Sequence, residues 1–233
     1  MVKEIASTHN NYVKQEFNTL YFGGGTPSVL DEKEIKQLLF AASEKFNLTK
    51  LEELTFEANP DDLNEDYLKM LKDNGFNRLS IGIQSFQEKD LELLRRSHTA
   101  KQAKQSIEKA LKLGFKNLTI DLIYGIPGLD FNSWKNNLET LTDFEVNHIS
   151  AYHLTFEPGT VFDHWRKKGR IEVMDEKESL KQFDFLISFL KENKFLHYEI
   201  SNFAKEGFIS KHNFNYWNQT PYLGIGPSAH SFD

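Results

Sequence analysis

The sequence predicts an α/β protein whose parallel strands curve toward a barrel. Three observations carry that expectation. Five short apolar or β-branched runs alternate with amphipathic segments. Successive runs lie roughly 30 residues apart, the length of one strand-plus-crossover unit, which implies parallel pairing through right-handed connections. Each run also finishes in polar residues, and barrels of this kind gather their functional groups at the C-terminal ends of the strands.

The first run, "NTLYF" (18–22), leads into "GGGTPS". Three glycines permit close backbone approach and unusual dihedral angles, and Pro27 biases Thr26 toward an extended conformation. The turn lacks the lysine and spacing of a phosphate loop and the G-x-G-x-x-G order of a dinucleotide turn. Taken alone, a tight strand-to-helix turn and a ligand cradle suit it equally. Asp31 opens a helix over "DEKEIKQLLFAASEKF", with Glu34 completing a capping box and Ile35, Leu38, Leu39 and Ala42 at helical spacing.

The second run, "LEELTFEA" (51–58), precedes a helix that ends at Gly75. The third, "RLSIGIQ" (78–84), precedes a helix "EKDLELLRRSH" carrying Arg96 and then a helix that ends at Gly114. Glycine just past the last turn is the expected C-cap. The fourth run, "NLTIDLIYG" (117–125), is followed by the helix "FNSWKNNLETLTDF". The fifth, "HISAYHLT" (148–155), is followed by a turn "EPGT" and a helix over 175–194. Beyond residue 157 the pattern changes. "HYEISNFAK" (197–205) reads as one more strand, and "KHNFNYW" and "YLGIGPSAHSF" are rich in aromatic residues and glycine. With no long linker or low-complexity stretch, residues 1–233 are expected to form a single domain.

Composition narrows the function classes. The 233 residues are 39% hydrophobic, with a net charge of −6, and no basic run is dense enough to mark a nucleic-acid footprint. No stretch reaches the ~18 apolar residues of a membrane span. The polar start "MVKEIASTHNNYVKQEF" lacks an apolar signal core, so a cytoplasmic setting is expected. The chain contains no cysteine, which excludes disulfides, thiol nucleophiles and cysteine metal ligands within these residues.

Five strand ends supply the candidate site: Gly23–Thr26, Glu57 with Asn59, Gln84, Asp121 with Tyr124, and Thr155 with Glu157. Glu57 and Asp121 follow or interrupt apolar strands, so each carboxylate needs a partner or a ligand; Arg78 and Arg96 are the available cations. A glutamine amide and an arginine fork, as at Gln84 and Arg96, can together hold a small carboxylate. Histidines 98, 148, 153, 164, 212 and 230 are scattered without the i, i+4 spacing of a helical metal site. His212 and His230 stand out by their aromatic, glycine-rich surroundings.

In order along the chain, "YFGGGTPS", "FEANPDDL", "GFNRLSIGIQSF", "LRRSHTAKQA", "DLIYGIPG", "HISAYHLTFEPGT", "YEISNFAK", "HNFNYW" and "YLGIGPSAHSF" resemble the HemW-type haem chaperones. These are radical S-adenosylmethionine (SAM) proteins related to oxygen-independent coproporphyrinogen III oxidases. The resemblance covers nearly the whole chain. It implies a partial (β/α)6 TIM-like barrel with a short C-terminal β extension, holding SAM beside a [4Fe–4S] cluster, and haem as the cargo delivered to an acceptor protein. It carries SAM contacts onto Gly24, Gly25, Thr26, Glu57, Gln84, Arg96 and Asp121, with Thr155 and His230 as further positions. Porphyrinogen oxidation and a cluster-less binding module are the alternatives.

The resemblance also has a departure. Such proteins open with a strand bearing C-x3-C-x2-C, whose thiolates hold the cluster, and these residues contain no cysteine. The expectation is a chain shortened at both ends and lacking the first barrel strand, so that "NTLYF" is left with an unpaired edge and self-association follows. No cluster and no radical chemistry are expected of these residues alone.

Overall fold

The computed structural model describes residues 1–8, 12 and 15–233. Its centre is a seven-stranded sheet ordered β1-β2-β3-β4-β5-β7-β6. The strands are β1 (Thr19–Phe22), β2 (Glu53–Ala58), β3 (Arg78–Gln84), β4 (Asn117–Tyr124), β5 (His148–His153), β6 (Leu196–His197) and β7 (Asn202–Ala204). The first five pair in parallel and in sequence order, with Phe22 opposite Phe56, Phe56 opposite Leu79, and Ile120 opposite Ile149. The sheet is open: β1 pairs only with β2, and β5 gives way to the antiparallel β7 and β6.

The helices lie on one face of this sheet for a reason visible in each strand. Leu54, Phe56, Leu79, Ile81, Leu118, Ile120 and Ile149 alternate with polar neighbours and are fully or nearly fully buried. They meet Ile35, Leu68, Leu71, Ile107, Trp134 and Leu138 from the crossover helices in one core. Side chains alternate across a strand, so the intervening residues face the other way. These are Thr19 and Tyr21, Glu53, Thr55 and Glu57, Arg78, Ser80 and Gln84, Thr119 and Asp121, and His148, Ser150 and Tyr152. The concave face of the curved sheet is therefore polar, unlike the apolar runs typical of parallel strands covered on both faces.

Local signals place the connections. Asp31 accepts from the Glu34 amide (2.8 Å) while the Glu34 carboxylate accepts from the Asp31 amide (2.9 Å), closing the expected capping box on the helix Glu32–Lys45. The helices Glu65–Asp73 and Ala100–Lys112 both stop before left-handed glycines, Gly75 and Gly114.

Three sequence expectations need correction. The helix before Arg96 covers only Glu88–Leu93; Arg95 takes a left-handed φ of 55°, so Arg96 leaves the helix and turns back toward β2. The single strand expected over 197–205 is two short antiparallel strands, because the chain bends between them: Tyr198 pairs its hydroxyl with His148 (2.7 Å) and Ser201 offers its carbonyl to Ala151 (2.8 Å). "KHNFNYW" forms a helix, Lys211–Trp217, capped by Ser210.

Candidate functional site

The C-terminal ends of β1 to β5 form a rim above the polar concave face. At β1 the chain leaves Phe22 into Gly24 (φ 74°) and Gly25 (φ 64°), two successive left-handed residues with open space where a side chain would stand. Only glycine adopts that pair without strain. The turn thus exposes main-chain groups, and Thr26 begins a short 3-10 turn with Pro27 in its first position.

Glu57 holds this turn. Its carboxylate accepts from the Gly24 amide (3.1 Å) and from the Tyr21 hydroxyl (2.5 Å). Burial and the nearby Glu57 charge raise the Tyr21 hydroxyl well above its usual range, so Tyr21 remains a hydrogen-bond donor at physiological pH. Asp121, across the face on β4, accepts from Ser80 on β3 (3.3 Å). Desolvation, followed by repulsion from Glu57, pushes the Asp121 carboxyl up to about 7, while hydrogen bonds from Ser150 and Ser80 and the Arg78 charge oppose the rise. The expected arginine partners therefore do not bind these carboxylates directly: Glu57 is met by Tyr21 and a backbone amide, and Asp121 by serine.

Gln84 and Arg96 converge over Gly82. A methyl group placed on Gly82 would lie 2.9 Å from Gln84 Nε2 and 3.4 Å from Arg96 Nη2, so the missing side chain is what lets both donors reach one place. Arg96 Nη2 donates to Asn59 Oδ1 (2.5 Å) and to the Gly82 carbonyl (3.4 Å), while its buried Nε finds no partner. Gln84 itself sits at φ 68°, uncommon outside glycine and a cost borne where the fold over-determines a functional position. Register shifts along β3 and β4 between Ile81 and Gln84, which re-aims the strand end toward the rim.

Gly24, Gly25, Thr26, Glu57, Gln84, Arg96 and Asp121 thus share one rim and the face below it. Thr155 stands exposed just past β5, where the Leu154 amide donates to the Tyr124 carbonyl (2.9 Å). His230 is exposed in the final stretch, in which Tyr222 pairs with Phe232 and the Gly226 amide donates to Glu4 (3.1 Å). Among the described residues, no hydrogen bond joins His230 to the rim.

His212 has a structural place. It stacks on Tyr21 (4.8 Å between ring centres), its Nδ1 lies 2.9 Å from Thr19 Oγ1, and burial lowers its basicity. The helix it belongs to is anchored by the buried Glu53, which accepts from the Lys211 and His212 amides, both at 2.9 Å. Sequence reading missed Tyr21, Asn59, Ser80 and Ser150 as members of the site. The signal was the period-two alternation of polar residues inside runs that look uniformly apolar.

The arrangement suits a zwitterionic ligand such as SAM. Gln84 and Arg96 offer donors to a carboxylate, the glycine turn offers main-chain groups, and Glu57 and Asp121 offer acceptors to an amine or to hydroxyls. A cysteine-ligated cluster finds no ligand among these 233 residues, which contain no cysteine, and no group of three His, Asp or Glu suited to a metal occurs among the described residues. No described helix is long and apolar enough to cross a membrane.

Comparison with known proteins agrees with this geometry. Over 231 residues the chain is 37% identical to the heme chaperone HemW of Lactococcus lactis subsp. lactis (strain IL1403), spanning 99% of this chain and 61% of that protein. It is 36% identical over 233 residues to heme chaperone HemW of Bacillus subtilis (strain 168), spanning all of this chain and 60% of that protein. The chain thus spans about 60% of the length of these curated relatives. A solved structure of coproporphyrinogen III oxidase (HemN) from Escherichia coli, described as a radical SAM enzyme, superposes with a TM-score of 0.84 at 25% identity. That match covers 99% of this chain and 56% of the other. The radical SAM superfamily model matches residues 2–141, more than half of the chain, and the chain belongs to the radical SAM superfamily.

Proposed function

We propose that this chain supplies the SAM-binding rim of a haem chaperone that carries haem to an acceptor protein in the cytoplasm. The observation that carries the SAM assignment is the convergence of Gln84 Nε2 and Arg96 Nη2 over Gly82, beside an exposed left-handed glycine turn. In this reading Gln84 and Arg96 take the methionyl carboxylate and Gly24, Gly25 and Thr26 present the backbone. Glu57 and Asp121 accept from the amine or ribose hydroxyls, and Thr155 and His230 are outlying contacts. SAM and a [4Fe–4S] cluster are the accessory cofactors of the longer protein, with the cluster ligands supplied from outside these residues. Whole-chain similarity to two proteins described as heme chaperones favours haem as cargo.

The likeness to a coproporphyrinogen III oxidase favours a second reading, in which the same barrel takes a porphyrinogen for oxidative decarboxylation. Competition distinguishes the two. The chaperone reading expects saturable haemin binding that coproporphyrin III displaces poorly. Preferential binding of coproporphyrin III, or no saturable haemin binding, contradicts it.

A further inference from the structure

The segment that leaves β5 carries a feature that the SAM site does not use. Between Phe156 and Arg170 it holds four arginines and lysines against one aspartate, in a chain whose net charge is −6. The aspartate, Asp163, is buried and committed: it accepts from Arg166 (2.8 Å), Lys167 (2.7 Å) and the Gly159 amide (3.2 Å). Its pKa falls to about 2, mainly through the hydrogen bond from Lys167 and then that from Arg166, so it stays charged and pins the short helix Val161–Lys167. Lys168 and Arg170 lie just beyond and are exposed, and among the described residues neither has a carboxylate within 4.0 Å.

Half-buried aromatic rings accompany these cations. Phe162 meets Phe156 (6.3 Å) and Trp165 (5.6 Å) edge-on. Arg95 lies over Trp165, 5.0 Å from the ring centre. Arg95 follows the β3 helix and Trp165 follows β5, so this contact carries the segment back past β4 toward the rim. Arg95 is next in sequence to Arg96 and also lacks a carboxylate partner among the described residues. Arginine-over-tryptophan packing orients a cation while leaving its donors available.

We infer that Phe156–Arg170, with Arg95, is the docking surface for a planar tetrapyrrole bearing carboxylate side chains. Lys168, Arg170 and Arg95 face the carboxylates, and the Phe156–Phe162–Trp165 cluster packs against the ring. This rests on the proposed haem cargo and adds where that cargo is received. Charge complementarity selects the occupant: the surface is cationic and aromatic, while the SAM face below it carries Glu57 and Asp121 and would repel the same carboxylates. Exposed pairs are each weak and salt-sensitive, so the surface acts as a receiving station rather than a deep pocket.

The test is haemin titration, followed by absorbance, of the 233-residue chain and its Lys168→Gln/Arg170→Gln variant. Protoporphyrin IX and its dimethyl ester are titrated in parallel. Both substitutions are at exposed positions, and an unchanged thermal melt checks the fold. The expected result is weakening of haemin and protoporphyrin IX by roughly 5-fold in the variant, an effect that fades at high salt, with the dimethyl ester indifferent to the substitutions. If wild type binds haemin and the variant binds it equally well, this surface is overturned while the haem reading stands. If wild type does not bind haemin, both fail. If haemin binding is unchanged but transfer to an apo-acceptor drops, the surface belongs to the acceptor protein and the inference is overturned.

Discussion

At the residue scale, the rim is governed by which groups are forced to share a low-dielectric face. Asp121 shows the consequence most directly. Its carboxyl titrates near 3.8 unfolded and about 7 in the folded chain. Between those values the folded chain holds a proton that the unfolded chain releases. Asp121 therefore makes stability fall as pH rises from about 4 to about 7, and contributes no further slope above that. Asp121→Asn is expected to flatten this part of the profile and to be more stable than wild type at pH 8. Urea midpoints at several pH values measure it, and parallel wild-type and variant profiles would contradict it. Gly24 gives a second residue-scale expectation. Space is open at its Cβ position but φ is 74°, so Gly24→Ala should lose about 1 kcal/mol through backbone strain alone, measured by denaturant unfolding. A neutral substitution there would mean that the turn relaxes freely.

At the element scale, the helix Lys211–Trp217 covers the concave face through one buried carboxylate. Glu53 accepts both leading amides of that helix, and its charge favours the ionised form of the buried Arg78. Glu53→Gln should destabilise the chain by roughly 3 kcal/mol, because a buried guanidinium loses its compensating charge. It should also loosen the stacking of His212 on Tyr21, visible as increased amide exchange in residues 210–217. Little change in either quantity would show the helix to be held by its aromatic contacts alone. Element existence was legible in the sequence where local chemistry decides it: the Asp31–Glu34 capping box, the glycine stops at 75 and 114, and the third strand at 78–84. It was not legible where tertiary contacts decide. Nothing local ends the helix before Arg96; the pull comes from Asn59, 37 positions away. Nothing local breaks 197–205 either, since the bend is fixed by His148 and Ala151 on β5. The site was half visible for the same reason. Charged strand ends such as Glu57 and Asp121 announce themselves, whereas Tyr21 and Ser80 join the site only through register.

At the scale of the whole molecule, β1 offers an edge along which no other strand pairs among the described residues. Parallel edges with free backbone groups recruit other strands. Light scattering on a size-exclusion column should show the 233-residue chain shifting from monomer to dimer with rising concentration, and a clean monomer over a wide concentration range would contradict this. The radical SAM assignment and the absence of cysteine coexist without conflict, since the rim that meets SAM is built by β1 to β5. The central claim is that Gln84 and Arg96, converging over Gly82, hold the carboxylate of SAM. Calorimetric titration of SAM into the wild-type chain and into Arg96→Ala, with folding checked by circular dichroism, tests it most directly. The account predicts saturable one-to-one binding in wild type and at least about a 10-fold loss in the variant, the size expected for a charge-assisted hydrogen-bond pair. Equal affinity in the two proteins would contradict it.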